Sequence, residues 1–194
     1  MLDLSSARSG EAAGPVDPTL FREGMSLVTS AVHIVTVRTA DRTAGVTATA
    51  MCALSDRPSS LLVCLHRQGR VGSMLRAGLP MAINTLGGGH DAVADVFAGR
   101  GRLQMAERFG HGEWRDDGVR APFLADSLAT FFCRISDVVP AATHLVVVGR
   151  VTDLKINAAP RALIYGARRY RSLDLAAGWC AEGETDSPMQ PEAQ

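Results

Sequence analysis

The sequence predicts a mainly β protein, in which antiparallel strands close into a barrel with a few short helices beside them. Three observations indicate this fold. Apolar and β-branched residues form about six or seven short segments. Most of these segments follow one another, as antiparallel strands do, and the helical segments are few and short. A closed antiparallel barrel is therefore favoured over a parallel β-α-β sheet, because closure removes exposed edges.

Length and composition predict one domain. The chain has 194 residues, of which 46% are hydrophobic, and no net charge. We expect a disordered tail at residues 1–16, a single domain at 17–175 and a flexible tail at 176–194. Balanced charge argues against nucleic-acid binding, and no polybasic run or apolar span indicates a membrane. Four cysteines without a C-x-x-C pair, and no signal-peptide pattern, predict a cytoplasmic protein.

The first elements are a helix and a hairpin. Asp17 is a favoured N-cap and Pro18 suits the first helical position, so a helix with one apolar face is predicted to about Ser30. Residues 32–38 are β-rich and predict a strand. A turn at residues 41–42 then leads into the next strand, and the two should pair as an antiparallel hairpin.

The later elements follow from turn residues and hydrophobic runs. Residues 54–58 carry turn chemistry, and the apolar run at 61–65 predicts a strand that is covered on both faces. We then predict a polar loop at 66–70, a helix at 71–77 ended by Gly78, a strand at 80–86, a helix capped by Asp91, a long lid-like loop at 99–122, and strands at 128–139, 144–156 and 163–173.

Residues 45–65 form the stretch whose composition indicates a ligand site. In a strand, Thr47 and Thr49 share one face, and Ala48 and Ala50 share the other. Hydroxyls beside small side chains let a flat ligand lie close to the backbone. Strand propensity alone also explains the two threonines, so both interpretations stay open at this point.

Motifs for several other ligand classes are absent. Residues 99–101 lack the third glycine of the dinucleotide fingerprint, and the chain has no G-x-x-x-x-G-K-[ST] phosphate loop. The five histidines have neither i,i+4 spacing nor a cysteine partner, so no metal site is predicted.

A series of short motifs nevertheless resembles one known family in order and spacing. The matching segments are residues 21–25 (FREGM), 45–51 (GVTATAM), 53–58 (ALSDRP), 66–68 (HRQ), 82–86 (AINTL), 97–98 (FA), 108–109 (RF), 121–124 (APFL), 142–151 (ATHLVVVGRV) and 164–170 (IYGARRY), with Trp114 between them. They are similar to the short flavin reductases of two-component monooxygenases, a flavin-reductase-like split-barrel family.

The resemblance implies an FMN-binding split barrel and an NAD(P)H:flavin oxidoreductase. Such enzymes bind FMN or FAD without covalent attachment, take hydride from NADH or NADPH and release reduced flavin to a separate monooxygenase. It also implies a homodimer. His144 is then expected to orient the nicotinamide or supply a proton. The expected flavin-binding residues are Thr47, Ala48, Thr49, Ala50, Ala53, Leu54, Ser55, His66, Arg67, Arg70, Asn84, Phe109, Arg169 and Tyr170.

Three positions depart from the family pattern. Thr143 stands where the family has Asp, His66 where it has Asn, and Gly166 where it often has His. These departures affect nicotinamide handling more than flavin binding. Two alternatives therefore stay open, a non-catalytic flavin carrier and a flavin-dependent oxidase or oxygenase with its own substrate. Structural roles also stay open for His144, Asn84 and Tyr170.

Overall fold

A computed structural model describes residues 14–157 and 161–175. Most of the two predicted tails, at 1–16 and 176–194, lies outside the described residues. Within the described ranges, no helix has the length and apolar character that crossing a membrane requires.

The described chain is built mainly of strands. The helices are α1 (Pro18–Ser26), α2 (Asp91–Phe97) and α3 (Met105–Arg108), with a 3-10 turn at Gly72–Met74. The strands are β1 (Ser30–Ala31), β2 (His33–Arg38), β3 (Thr43–Ala48), β4 (Met51–Asp56), β5 (Ser59–His66), β6 (Pro80–Thr85), β7 (Trp114–Arg115), β8 (Phe123–Leu124), β9 (Ala129–Ala141), β10 (His144–Ile156), β11 (Arg161–Gly166) and β12 (Arg169–Asp174).

Seven strands form the main antiparallel sheet, in the order β3-β2-β6-β9-β10-β5-β4. The two edge strands, β3 and β4, are joined by only Thr49 and Ala50. Because the chain passes so directly from one edge to the other, the sheet must curl round on itself. The predicted split barrel is confirmed, and so is the hairpin of β2 and β3, which pairs His33 with Ala48.

The barrel interior is filled by alternate residues of its strands. On β5, Leu61, Val63 and Leu65 are buried, whereas Leu62 and Cys64 between them are half-buried and face outward. The predicted coverage of both faces of this strand is thus only partial in a single chain. β2 differs, since β11 and α2 cover its outer face. Ile34 packs there against Phe97 and Leu163 in a second apolar cluster.

Helix α1 begins where the sequence predicts and ends earlier. The Asp17 carboxylate accepts hydrogen bonds from the Thr19 and Leu20 N–H groups, at 2.8 and 3.1 Å. The helix ends at Ser26, not Ser30, and none of its residues is buried. Its apolar face is therefore open to solvent, and an ion pair from Glu23 to Arg168 links it to the body.

Local predictions were wrong at several turns. Strand β4 continues to Asp56, so only residues 57–58 of the bend predicted at 54–58 form the link between β4 and β5. The strand predicted at 163–173 is a hairpin that turns at Ala167 and Arg168, both with positive φ. His90, not Asp91, holds the N-cap position of α2. The helix predicted at 71–77 is the 3-10 turn, and the loop at 99–122 contains α3 and β7.

Candidate active site

Two histidines face each other at one end of the sheet. His66 is the last residue of β5, and His144 is the first of β10. The Arg67 N–H donates to the Thr143 carbonyl at 3.0 Å, which makes the two histidines a non-hydrogen-bonded cross-strand pair with closely spaced side chains. Their ring centroids lie 5.4 Å apart with planes at 79°. Both side chains are exposed on the outer face of the barrel.

Thr143 completes this arrangement. Its hydroxyl lies 2.8 Å from Nδ1 of His144. We call His66, Thr143 and His144 the tip cluster. A cavity of about 110 Å³ adjoins it, lined by His66, Arg67, Gln68, Ala142 and Thr143. Its polar side chains can all donate hydrogen bonds and none is acidic, so the cavity suits an anion.

The loop after β5 carries two arginines, Arg67 and Arg70. Residues 66–74 wind through successive turns in which the Gly69 N–H bonds to the His66 carbonyl. A Cβ at Gly72 would lie 2.2 Å from the His66 carbonyl oxygen, so only glycine allows this close winding. Within this loop, the charge of Arg70 acts on Arg108. Burial lowers the pKa of Arg108, and the charge of Arg70 lowers it further.

The link between the barrel edges lies beside the same end of β5. The Cys64 N–H donates to the Ala50 carbonyl at 2.9 Å, two residues from His66. Thr49 and Ala50 are exposed, and within the described part of the chain neither of their N–H groups donates a hydrogen bond. Free N–H groups beside small side chains fit the polar edge of a flavin ring, which needs donors and close backbone approach.

Residues 53–55 of the predicted ligand stretch at 45–65 lie away from the tip cluster. Ala53, Leu54 and Ser55 lie on β4 where it runs toward the opposite end of β5. Ala53 pairs with Leu61, about 17 Å along the strand from His66 at 3.3 Å per residue. Ala53 and Ser55 line another cavity, of about 470 Å³, and Leu54 is exposed. The structure thus does not bring these three residues together with the tip cluster.

Three predicted flavin contacts have structural roles. Asn84 is fully buried, with Nδ2 donating to the Ile34 carbonyl and Oδ1 accepting from the Leu124 N–H, both at 2.9 Å. No surface of it remains for a flavin. The Thr47 hydroxyl donates to the Ala94 carbonyl at 2.6 Å and so ties β3 to α2. Ala48 is buried in the barrel core.

The remaining predicted residues lie on other elements. Phe109 packs edge-on against Phe97 and Trp114, with centroids 5.2 and 5.0 Å away. Tyr170 lies on the separate β1-β11-β12 sheet, where burial, followed by the charge of Asp95, raises its pKa to about 12. Arg169 begins β12 and is exposed.

Gly166, which departs from the family pattern, lies against Thr29. A Cβ at Gly166 would lie 2.6 Å from the Thr29 hydroxyl oxygen and 3.4 Å from the Thr29 Cα. A side chain at this position would therefore require the Thr29 hydroxyl to rotate away.

One residue of the tip cluster was missed as a site residue. In the sequence, Thr143 stands out only as a departure from the family pattern, although it directly precedes His144 and is a possible hydrogen-bond partner for it. Arg108, which lies in one of the matching segments, donates through its guanidinium to the carbonyls of Leu103 and Phe97. Among the described residues, no group of three or more His, Cys, Asp or Glu side chains could hold a metal ion.

Known proteins resemble this chain over most of its length. The flavin reductase like domain matches residues 25–174. The FMN reductase (NADH) RutF of Methylorubrum populi is 42% identical over 166 residues, covering 86% of this chain and 81% of that protein. RutF of Agrobacterium fabrum is 40% identical over 153 residues, covering 79% and 87%. The structure of BorF, the flavin reductase component of a bacterial two-component tryptophan halogenase, has a TM-score of 0.73 and 28% identity, covering 81% and 99%.

These similarities cover both the barrel and the tip cluster. The family match spans residues 25–174, which includes every predicted site residue. The observed split barrel agrees with the architecture of the matched structure. The chain therefore belongs to the flavin reductase family and is an oxidoreductase of that class.

Proposed function

We propose that the enzyme reduces FMN with NADH and releases the reduced FMN to a separate flavin-dependent monooxygenase. The observation that carries the choice of FMN and NADH is the 42% identity to a relative named FMN reductase (NADH). FAD and NADPH are the alternatives for the two nucleotides. The reaction consumes NADH, FMN and one proton and yields NAD⁺ and reduced FMN.

The residues near the tip cluster fit this reaction. Bound flavin would supply the two-electron acceptor. The free N–H groups of Thr49 and Ala50 would donate to its polar ring edge, where reduction adds negative charge. Arg67 and Arg70 would pair with its phosphate. His144 would orient the nicotinamide through Nε2, because Nδ1 is engaged by Thr143.

We further propose that the enzyme is a homodimer. The outer face of the main sheet is apolar next to the tip cluster. Its apolar outward residues are Cys52, Leu62, Cys64, Val139, Val146 and Val148, and the exposed Asp137 lies opposite Val148. Val139 is 53% exposed. A contiguous apolar face of this kind usually marks an interface, and its continuity with the tip cluster favours a second copy as the occupant.

Residues 17–175 are proposed as the flavin reductase-like split-barrel domain, with the cytoplasm as its compartment. The family match over 25–174 supports this unit. Cys52, Cys64 and Cys133 are all free thiols, as is usual in a reducing compartment. The formal net charge of zero supports a protein that binds neither nucleic acid nor an anionic membrane.

The proposal is tested by following NADH oxidation with purified protein, without flavin and with FMN, FAD or riboflavin. Rapid oxidation only in the presence of flavin, with the highest kcat/KM for FMN, is expected. The same series with NADPH should be slower. Flavin that binds without being reduced by either nucleotide would contradict the proposal and favour a carrier. Oxygen uptake that needs an added organic substrate would favour an oxidase.

The dimer is tested separately by light scattering during gel filtration. We expect the wild-type protein to elute with twice the mass of one chain. Val146→Glu, which places a charge in the apolar face, should shift it toward a monomer. Val119→Glu, at a residue that is 74% exposed outside this face, is the matched control. A wild-type monomer would contradict the proposal.

A further inference from the structure

We propose that Thr143 and His66 are positioning residues that hold the His144 ring in one orientation and present its Nε2 to the nicotinamide. The second half of this statement rests on the proposed function. The first half concerns the protein alone. It can be tested without flavin or NADH.

The Thr143 hydroxyl fixes one ring nitrogen. It lies 2.8 Å from Nδ1 of His144, and a hydroxyl can either donate to that nitrogen or accept from it. In both cases Nδ1 makes its hydrogen bond within the protein. Within residues 14–157 and 161–175, Nε2 of His144 has no hydrogen-bond partner. Nε2 is therefore the atom that is left to meet a ligand.

The His66 ring restricts the remaining freedom of His144. The two residues are directly opposite on β5 and β10, in the closely spaced type of cross-strand pair. The edge-to-face contact at 5.4 Å and 79° is a favourable arrangement for two aromatic rings. An exposed histidine at the end of a strand would otherwise exchange between rotamers. Contact with His66 disfavours the orientations that turn the ring away.

Both contacts act on the same side chain, and neither uses a carboxylate. No described salt bridge reaches His144. Thr143 and His66 are also two of the three positions where this chain departs from the family pattern. A neutral hydroxyl and a facing ring therefore hold the imidazole here without an acidic partner.

The first test compares variants that remove each contact with variants that keep it. Thr143→Val removes the hydroxyl at constant shape, and Thr143→Ser keeps it. His66→Ala removes the ring, and His66→Phe keeps an aromatic edge. We expect Thr143→Val and His66→Ala to lower kcat/KM for NADH about tenfold, mainly through KM. Thr143→Ser and His66→Phe should stay within about threefold of wild type. Thermal melting should show that all four remain folded, because both positions are exposed.

The second test measures the ring-nitrogen signals of His144 directly, by ¹⁵N NMR of flavin-free protein. Wild type, Thr143→Ser and His66→Phe should show the Nδ1 signal of His144 at the position of a hydrogen-bonded ring nitrogen. Thr143→Val should shift this signal toward that of a free ring nitrogen, and His66→Ala should show new rotamer exchange. Nitrogen signals that are the same in all five proteins would overturn the positioning role. Altered signals with an unchanged KM for NADH would overturn the link to the nicotinamide.

These two readouts separate the inference from the proposed function. A wild-type protein that never oxidises NADH contradicts the proposed function and the nicotinamide contact together. The NMR comparison still decides whether Thr143 and His66 hold the ring. A shifted Nδ1 signal of His144 in Thr143→Val then supports the contact even in an inactive protein.

Discussion

The tip cluster and the polar cluster around Asn84 lie on the same sheet and differ in where their hydrogen bonds go. Asn84, Ser127 and Thr130 are fully buried, and Oδ1 of Asn84 accepts from both the Leu124 N–H and the Thr130 hydroxyl. In the tip cluster, His144 is exposed and uses only one ring nitrogen. Polar residues that are satisfied by the protein hold the fold, and those left partly unsatisfied at the surface are available for chemistry.

The largest effect on folding is expected from Asn84→Ala. It removes the partners of the Ile34 carbonyl and the Leu124 N–H, both inside the protein. The free energy of unfolding should fall by about 3–5 kcal/mol, since each buried polar group left unpaired costs about 1–3 kcal/mol. Urea denaturation measures this loss. Thr49→Ala, at an exposed position, is the control and should change stability by less than about 0.5 kcal/mol. Equal free energies of unfolding for the two variants would contradict the distinction between buried polar residues that hold the fold and exposed ones that do not.

Acid should weaken the fold through His33. This ring is 4% exposed, and burial lowers its pKa to about 4. The unfolded chain takes up a proton near pH 6.5 while the folded ring stays neutral until about pH 4. The contribution of the neutral His33 ring to the free energy of unfolding is therefore lost as pH falls from about 6.5 to about 4. The loss reaches about 3 kcal/mol.

His33→Gln supplies the control for this pH dependence. Glutamine does not titrate, and it can still bond to Thr85, which lies 3.1 Å from Nδ1 of His33. Urea denaturation at intervals between pH 7 and pH 4 should show a smaller loss of stability in the variant. Parallel curves for the two proteins would mean that His33 does not cause the acid sensitivity.

A smaller effect is expected at the loop that carries Arg67 and Arg70. In Gly72→Ala the new methyl would lie 2.2 Å from the His66 carbonyl oxygen, so the loop must shift. Stability should fall by about 1–3 kcal/mol and the KM for FMN should rise. Gly24→Ala is the matched control, because nothing lies within 4 Å of its new methyl and the residue is in α1. It should stabilise the protein slightly, by about 0.5–1 kcal/mol.

The sequence predicts the barrel well because its strands have clear apolar periodicity and clear turn residues. The hairpin of β2 and β3 and the start of β10 at His144 are as predicted. The β11–β12 hairpin was not predicted, because Ala167 and Arg168 adopt positive φ without the Gly or Asn that usually marks such a turn.

The candidate site was predicted only in part, for a different reason. Alternation tells which side chains share a face, but not which face is inside when a strand is covered on both sides. Asn84 was expected at the flavin from the family resemblance alone, and alternation could not show that it is internal. The chain also crosses from β3 to β4 at Thr49 and Ala50, which separates Ser55 from the residues near His66. Residues that are close in sequence therefore lie near two different cavities.

The most direct test of the account compares His144→Asn with Ser55→Ala in one assay of FMN-dependent NADH oxidation. Both positions are exposed, so both variants should fold. If the tip cluster is the reactive site, His144→Asn should lower kcat/KM for NADH by about 10²-fold, and Ser55→Ala should stay within about twofold of wild type. A large loss in Ser55→Ala with full activity in His144→Asn would place the reaction at the other cavity and contradict the account.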